Sequence, residues 1–249
     1  MLAAGLGGCQ TVSDITGSIS AQAPPSPDTD PKRAVDYWGE RHRANPKDPN
    51  AALAYGQALR LNGQNSQAAA VLEQANFANP GNKALLAGWG RALADNGNFQ
   101  QAFDVLSKAH SPDNPDWHLL SVQGTCLDQL GRHDEARGYY EGALKIVPGE
   151  PSVLSNLGMS YVLSGDLPKA EQALRQAYAS PNASSRVRQN LGLVVGLQGR
   201  FAEAEQIVKA DLPPDEAAAN VAYLKQMLKG HDDPRRRRGI PVAQLSQPD

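Results

Sequence analysis

Aromatic residues are scarce, at 6% of 249 positions, and β-branched runs are rare, so the chain has little from which to build a sheet-based core. The 41% of hydrophobic residues is mostly Ala, Leu and Val, which predicts an all-α protein able to bury a sizeable core. Neither sign of charge dominates: the formal net charge is −2 and the pI is near 6.2. That balance provides no long-range field to gather nucleic acid or an acidic membrane surface. Only two cysteines are present, Cys9 and Cys126, and the five histidines are scattered. No group has the close ligand spacing of a zinc site, and neither a metal nor another cofactor is expected. No apolar stretch approaches the ~18 to 20 residues that cross a bilayer as a helix. Signatures of catalysis are missing too: there is no GxxxxGK loop, no HExxH and no GxSxG. No catalytic residue is assigned, and no small-molecule substrate is expected.

What the chain does contain is a repeat. Gly56, Gly90, Gly124, Gly158 and Gly192 stand 34 residues apart, and seven residues after each comes a second glycine: Gly63, Gly97, Gly131, Gly165 and Gly199. Twelve residues after the first glycine lie Ala68, Ala102, Ala136, Ala170 and Ala204, followed at four more by Leu72, Leu106, Tyr140, Leu174 and Val208. Ala75, Ala109, Ala143 and Ala177 come three residues later, and Asp211 breaks this column in the fifth unit. Helices that approach closely need residues without bulk where they cross, which explains the first glycine and the alanines. Leu86, Trp89, Leu120, Leu154, Leu157 and Leu191 fall on the same stripe and fill the space around the crossing. The second glycine sits where one helix ends and the next begins, a place for a left-handed residue. Pro80, Pro148 and Pro181, with Pro112 and Pro115, punctuate the ends of the second helices. His133, Asp134 and Glu135 read as a helix start, with acids at its positive end.

This order of residues resembles the tetratricopeptide repeat, most closely in the fourth unit, where Leu154, Leu157, Gly158, Tyr161, Ala170, Leu174 and Ala177 follow in sequence. The resemblance covers roughly residues 49 to 215 and implies a superhelix of five two-helix repeats. Ala34, Trp38 and Pro46 precede Ala68, Leu72 and Pro80 by the same 34 residues, so residues 32–45 read as an N-terminal half repeat. Asn220, Val221 and Ala222 match Asn190, Leu191 and Gly192 at a shortened interval of 30, and the segment to Leu228 reads as a capping helix. The expected organisation is residues 1–9 as the remnant of a lipoprotein signal, 10–31 as a flexible tether, 32–229 as the repeat domain and 230–249 as a disordered basic tail.

Leu6-Gly7-Gly8-Cys9 resembles the lipobox of bacterial lipoproteins, which implies lipid attachment at Cys9. Only eight residues precede Cys9 and none is Lys or Arg, so the export signal is expected to be clipped or to begin further upstream. The competing reading is an ordinary N-terminal stretch with an isolated cysteine. The residue after Cys9 is Gln10 and not Asp, which in such lipoproteins implies the periplasmic face of the outer membrane of a Gram-negative bacterium. Cys126 is expected to pack as a small buried hydrophobe. The lipobox, the Ser/Pro-rich tether, the five repeats and the closing stretch from Asp211 to Leu224 together resemble the TadD proteins of tight-adherence (Flp) pilus assembly. That resemblance implies a role in localising or assembling the pilus secretin. A general periplasmic adaptor for envelope machinery or a protease, and a soluble cytoplasmic repeat scaffold, remain as alternatives.

First helices of stacked repeats line the concave face, and the residues flanking each glycine point into it. The candidate protein-binding groove therefore holds Gln57, Arg60, Arg91, Thr125, Asp128, Asn156, Met159, Gln189, Asn190 and Leu193, with Leu53, Asp95, Ser121 and Ser155 at equivalent offsets. Asn156 and Asn190 match the asparagine that in such repeats often holds a peptide backbone; the alternative is that each bridges neighbouring helices. The offset before that column carries Leu53, Ala87, Ser121, Ser155 and Gln189, without the lysines or arginines of a carboxylate clamp. A protein partner bound as a neutral or mixed segment, from a secretin or another pilus component, is expected. His118 is the histidine nearest the groove and is read as a surface contact. Arg235 to Arg238 read as a solvated tail, with contact to anionic lipid or an acidic partner as the functional alternative.

Overall fold

The computed structural model describes residues 30–111 and 113–231. Cys9, most of the expected tether and the four-arginine tail lie outside the described residues. Among the described residues there are twelve α-helices and no strand: α1 (Pro31–Ala44), α2 (Pro49–Leu61), α3 (Asn65–Ala78), α4 (Lys83–Asp95), α5 (Phe99–Ala109), α6 (Trp117–Gln129), α7 (His133–Ile146), α8 (Pro151–Leu163), α9 (Leu167–Tyr178), α10 (Ser185–Leu197), α11 (Phe201–Val208) and α12 (Pro214–His231). This is the expected all-α tetratricopeptide-repeat superhelix. The half repeat is α1, the five repeats run from α2 to α11, and the cap is α12.

Each unit is set by its two glycines. A Cβ built on Gly56, Gly90, Gly124, Gly158 or Gly192 would lie 2.5 to 2.7 Å from the side chain sixteen residues on, namely Leu72, Leu106, Tyr140, Leu174 and Val208 in turn. Those partners are buried, and Ala68, Ala102, Ala136, Ala170 and Ala204 beside them are at 0 or 1% exposure. The second helix thus seats a buried apolar side chain in the gap left by the missing Cβ. The second glycines all have φ between 74° and 82°, so each ends its helix in the left-handed region. Gly81 and Gly149, after Pro80 and Pro148, turn the chain the same way between units.

A further 34-residue column starts the inner helices. Asp48, Asn82, Asp116 and Glu150 accept hydrogen bonds from the first free N–H groups of α2, α4, α6 and α8. Two units depart from the pattern. The second helix of the second repeat, α5, stops three residues short of the α3 register, and an isolated Ser111–Asn114 bridge precedes α6. In the fifth unit α11 ends before position 211, and Asp211 there forms an ion pair with Arg188 of α10 instead of entering a helix crossing.

Every helix packs on its chain neighbours, and each even-numbered helix from α2 to α12 also meets the next even-numbered one. No odd-numbered helix makes a comparable contact with the next odd one. The even helices therefore form the inner, shorter row of the superhelix, with α1, α3, α5, α7, α9 and α11 outside.

Two alanine substitutions separate crossing from mere helix. Gly158→Ala places a Cβ 2.7 Å from Leu174 Cγ and 3.2 Å from the Ala170 carbonyl oxygen, and is expected to lower stability by about 1–3 kcal/mol. Gly138→Ala in α7 meets nothing within 4 Å and is expected to raise stability by about 0.5–1 kcal/mol. Urea midpoints measure both, and effects of the same sign would contradict the role given to the crossing glycine.

Candidate protein-binding groove

The inner row encloses a concavity of about 860 Å³ over α2, α4 and α6, reached by Ser152 of α8. Its walls mix apolar side chains (Leu53, Ala87, Trp117 and Val122) with Gln57, Arg60, Arg91, Asp95, Asp116, His118 and Ser121. Three of the ten sequence-predicted groove residues, Gln57, Arg60 and Arg91, surround this hollow. Thr125, Asp128, Asn156, Met159, Gln189, Asn190 and Leu193 lie beyond it on α6, α8 and α10. A smaller hollow of about 250 Å³ adjoins it and shares Ala84, Ala87 and Asp116. It opens beside the shortened α5, where His110 Nε2 lies 2.8 Å from Gln123 Oε1.

The charges in the larger hollow are unevenly matched. Arg60 Nε donates to Asp95 Oδ2 at 2.6 Å. Asp116 is committed to capping α6, accepting from the backbone N–H of His118 at 2.8 Å and of Leu119 at 3.3 Å, with His118 Nδ1 at 3.2 Å. Burial alone would raise the Asp116 pKa, but those hydrogen bonds outweigh it and hold the carboxyl below its ordinary value. The His118 ring stacks on Trp117 at 3.5 Å between centroids. Arg91 is half-buried, and among the described residues it has no hydrogen bond or ion pair. Burial lowers its pKa, opposed by Asp116 and Asp95 and reinforced by Arg60.

Along the inner row the seams between successive helices change character. At α2–α4 the columns two and three residues before the crossing glycine hold Gly88 and Leu53, and a Cβ on Gly88 would lie 2.8 Å from Leu53 Cδ2. At α6–α8 and α8–α10 the same columns hold asparagine and serine: Asn156 Nδ2 donates to Ser121 Oγ at 3.1 Å, and Asn190 Nδ2 to Ser155 Oγ at 2.9 Å. Both asparagines thus bridge neighbouring helices, while their amide oxygens have no partner among the described residues. Gln189 is exposed, and Met159 and Leu193 are half-buried, with Met159 packed against the C-terminal core.

Asp128, expected among the groove side chains, is placed otherwise. It is 7% exposed, and its carboxylate accepts from Ser160 Oγ at 2.7 Å and Tyr140 Oη at 3.0 Å, with His133 Nδ1 at 2.9 Å. These partners come from α7 and α8, so Asp128 ties one repeat to the next. Thr125 belongs to the same network, with Oγ1 3.3 Å from the Tyr140 hydroxyl and donating to the Ser121 carbonyl at 3.1 Å. The reason lies in Tyr140, which stands in a column otherwise filled by Leu or Val and must satisfy a buried hydroxyl. Burial and the nearby Asp128 push its pKa up, so the phenol stays a donor. Offset comparison gave a mixed signal: Asp128 shares its column with Ala94, Val162 and Gly196, which are small or apolar, but also with Arg60, which lines the hollow. Among the described residues no group of His, Cys, Asp and Glu is arranged to hold a metal ion.

Removing the tie should be felt throughout the stack. Asp128→Ala leaves the buried Ser160 hydroxyl without its acceptor and the Tyr140 hydroxyl with only the longer contact to Thr125, and is expected to lower stability by roughly 2–3 kcal/mol, read as a fall in the urea midpoint. A midpoint unchanged from wild type would return Asp128 to the solvent-facing side. Cys126, at 0% exposure with its thiol pushed by burial up to about 11, is expected to resist DTNB at pH 8 in a Cys9→Ser background until the chain is unfolded.

Comparison with known proteins follows the same lines. Family models described as tetratricopeptide repeat match residues 118–183 and residues 155–220, and one described as anaphase-promoting complex, cyclosome, subunit 3 matches residues 36–109. No curated protein sequence matches. Among solved structures, a chain of the APC/C hetero-tetramer Cut9–Hcn1 is similar with a TM-score of 0.65 and 16% identity over 80% of this chain, which spans only 40% of that chain's length. PilW, described as a widely conserved type IV pilus biogenesis factor, aligns with a TM-score of 0.67 and 19% identity over 78% of this chain and 91% of its own. YrrB, described as a tetratricopeptide-repeat protein with an unusual peptide-binding site, aligns with a TM-score of 0.52 and 16% identity over 79% of this chain and 100% of its own. Identities this low establish the fold alone, and the fold they share with this chain is the tetratricopeptide-repeat superhelix.

Proposed function

We propose that this chain is a non-catalytic scaffold that holds a segment of another protein along its inner row of helices. The observation that carries this reading is the concavity over α2, α4 and α6, whose apolar walls and scattered polar groups suit a polypeptide with mixed side chains. Its two carboxylates are engaged in pairing and capping, and among the described lining residues no nucleophile is set against a base, which supports binding over chemistry.

More narrowly, the scaffold is an outer-membrane lipoprotein, attached through Cys9 on the periplasmic face, that assists assembly or localisation of a pilus secretin. The support for this is the lipobox-like Leu6-Gly7-Gly8-Cys9, the resemblance to TadD proteins, and the shared fold with PilW, itself described as a pilus biogenesis factor. A lipid at Cys9 followed by a Ser/Pro-rich stretch would keep the repeats near the membrane while leaving the inner face open.

Filling the hollow tests the binding face. Gln57 and Ala84 are exposed on its lining, so Gln57→Trp with Ala84→Trp should leave the fold intact while reducing capture of the co-expressed secretin at least tenfold, quantified by immunoblot after pull-down. Equal capture by the filled and open forms would discard the groove. For the anchor, Cys9→Ser should abolish palmitate labelling and move the protein from the membrane to the soluble fraction; continued labelling would remove the lipid assignment.

A further inference from the structure

The groove contains one cation, Arg91, that no carboxylate of the described residues contacts directly, although Asp116 and Asp95 lie near enough to favour its charge. Of the four groups charged at neutral pH around the larger hollow, Arg60 and Asp95 are paired at 2.6 Å, and Asp116 is held by two backbone N–H groups and His118. Arg91 remains, half-buried on α4, one residue past the crossing Gly90, without a hydrogen bond or ion pair among the described residues. A guanidinium keeps its charge at any ordinary pH, and its planar fork of donors fits a carboxylate. Beside it stand Leu53, Trp117 and Val122, an apolar wall within the same hollow. An unpaired, partly desolvated cation next to apolar surface is unfavourable in the free protein, and that cost is relieved when an anion arrives.

We infer that Arg91 receives the side-chain carboxylate of an Asp or Glu in the bound segment, with a neighbouring apolar side chain of that segment seated against Leu53, Trp117 and Val122. The inference rests on the groove reading above and gives the occupant its chemistry. A side-chain carboxylate fits better than a chain terminus, because the inner row continues on both sides of α4, through α2 in one direction and α6, α8 and α10 in the other. A segment lying along that row passes Arg91 and goes on. The asparagine–serine bridges of the C-terminal seams are neutral and offer the segment no charge there, whereas Arg91 places one on the wall of the hollow.

A phage library of random decamers displayed without a free C-terminus, panned on the full chain and on the Gln57→Trp, Ala84→Trp form, tests this. Decamers dependent on the open groove are expected to be enriched in Asp or Glu beside Leu, Ile or Phe. One such decamer, acetylated and amidated, is then titrated by fluorescence anisotropy. Its Kd should rise about tenfold or more on Glu→Gln in the peptide or on Arg91→Gln in the protein, with little further loss when the two are combined. Arg91→Lys should keep the preference for the acid at reduced affinity. Because Arg91 has no internal partner, the thermal midpoint of Arg91→Gln should match wild type; a clear fall would make Arg91 a structural residue and overturn the assignment. Groove-dependent decamers without acidic enrichment, or equal weakening of the Glu and Gln peptides by Arg91→Gln, would also overturn it. Recovery of full affinity by the Gln peptide with a free C-terminus would assign the site to a chain terminus and refute the side-chain reading. A library with no groove-dependent binder at all would instead sink the peptide-binding function on which the inference stands.

Discussion

In each repeat the second helix can lie against the first only because the first has no Cβ where they cross. The gap left at Gly56, Gly90, Gly124, Gly158 and Gly192 is filled by one buried side chain of the partner helix, and no methyl group could be added there without displacing it. Repetition of this contact every 34 residues fixes the spacing of the even-numbered helices, whose mutual contacts make the inner row. Stability in such a stack is approximately a sum of unit and neighbour terms, so a fault at one crossing opens the array locally before it opens globally.

On that regular frame the inner face is divided. Its N-terminal half has apolar seams and a hollow in which charges are gathered; in its C-terminal half the same columns hold asparagine and serine that bond to one another. Between the halves, Asp128 joins α6 to α7 and α8 through Tyr140, His133 and Ser160. A buried carboxylate with three partners is costly to break, and it fixes the angle between repeats more firmly than apolar contact alone. The second half thus continues the inner row with neutral seams, while the hollow lies over α2, α4 and α6.

The fold could be read almost whole from the glycine and alanine columns, because each column corresponds to one local requirement: no bulk at a crossing, or a left-handed residue at a helix end. The acids at 134 and 135 start α7, and the half repeat and cap are helices α1 and α12. The column of capping side chains at 48, 82, 116 and 150 was equally local and has the residue types of helix starts. The groove was less legible. Asp128 looks like a solvent-facing acid until Tyr140, twelve residues away, and Ser160, thirty-two away, are brought to it in space. Whether Arg91 is paired depends likewise on where Asp95 and Asp116 find their own partners, which an offset cannot tell. The exchange of a crossing alanine for the Arg188–Asp211 pair has the same origin in a contact distant along the chain.

If the inner row is where a partner is held, binding must quiet the backbone there first. Hydrogen–deuterium exchange of the full chain with and without a bound secretin fragment measures this directly. Slowed exchange should concentrate in α2, α4 and α6 and leave the outer helices α3, α5 and α7 unchanged. Protection confined to those outer helices, or to the closing helix α12, would contradict the account.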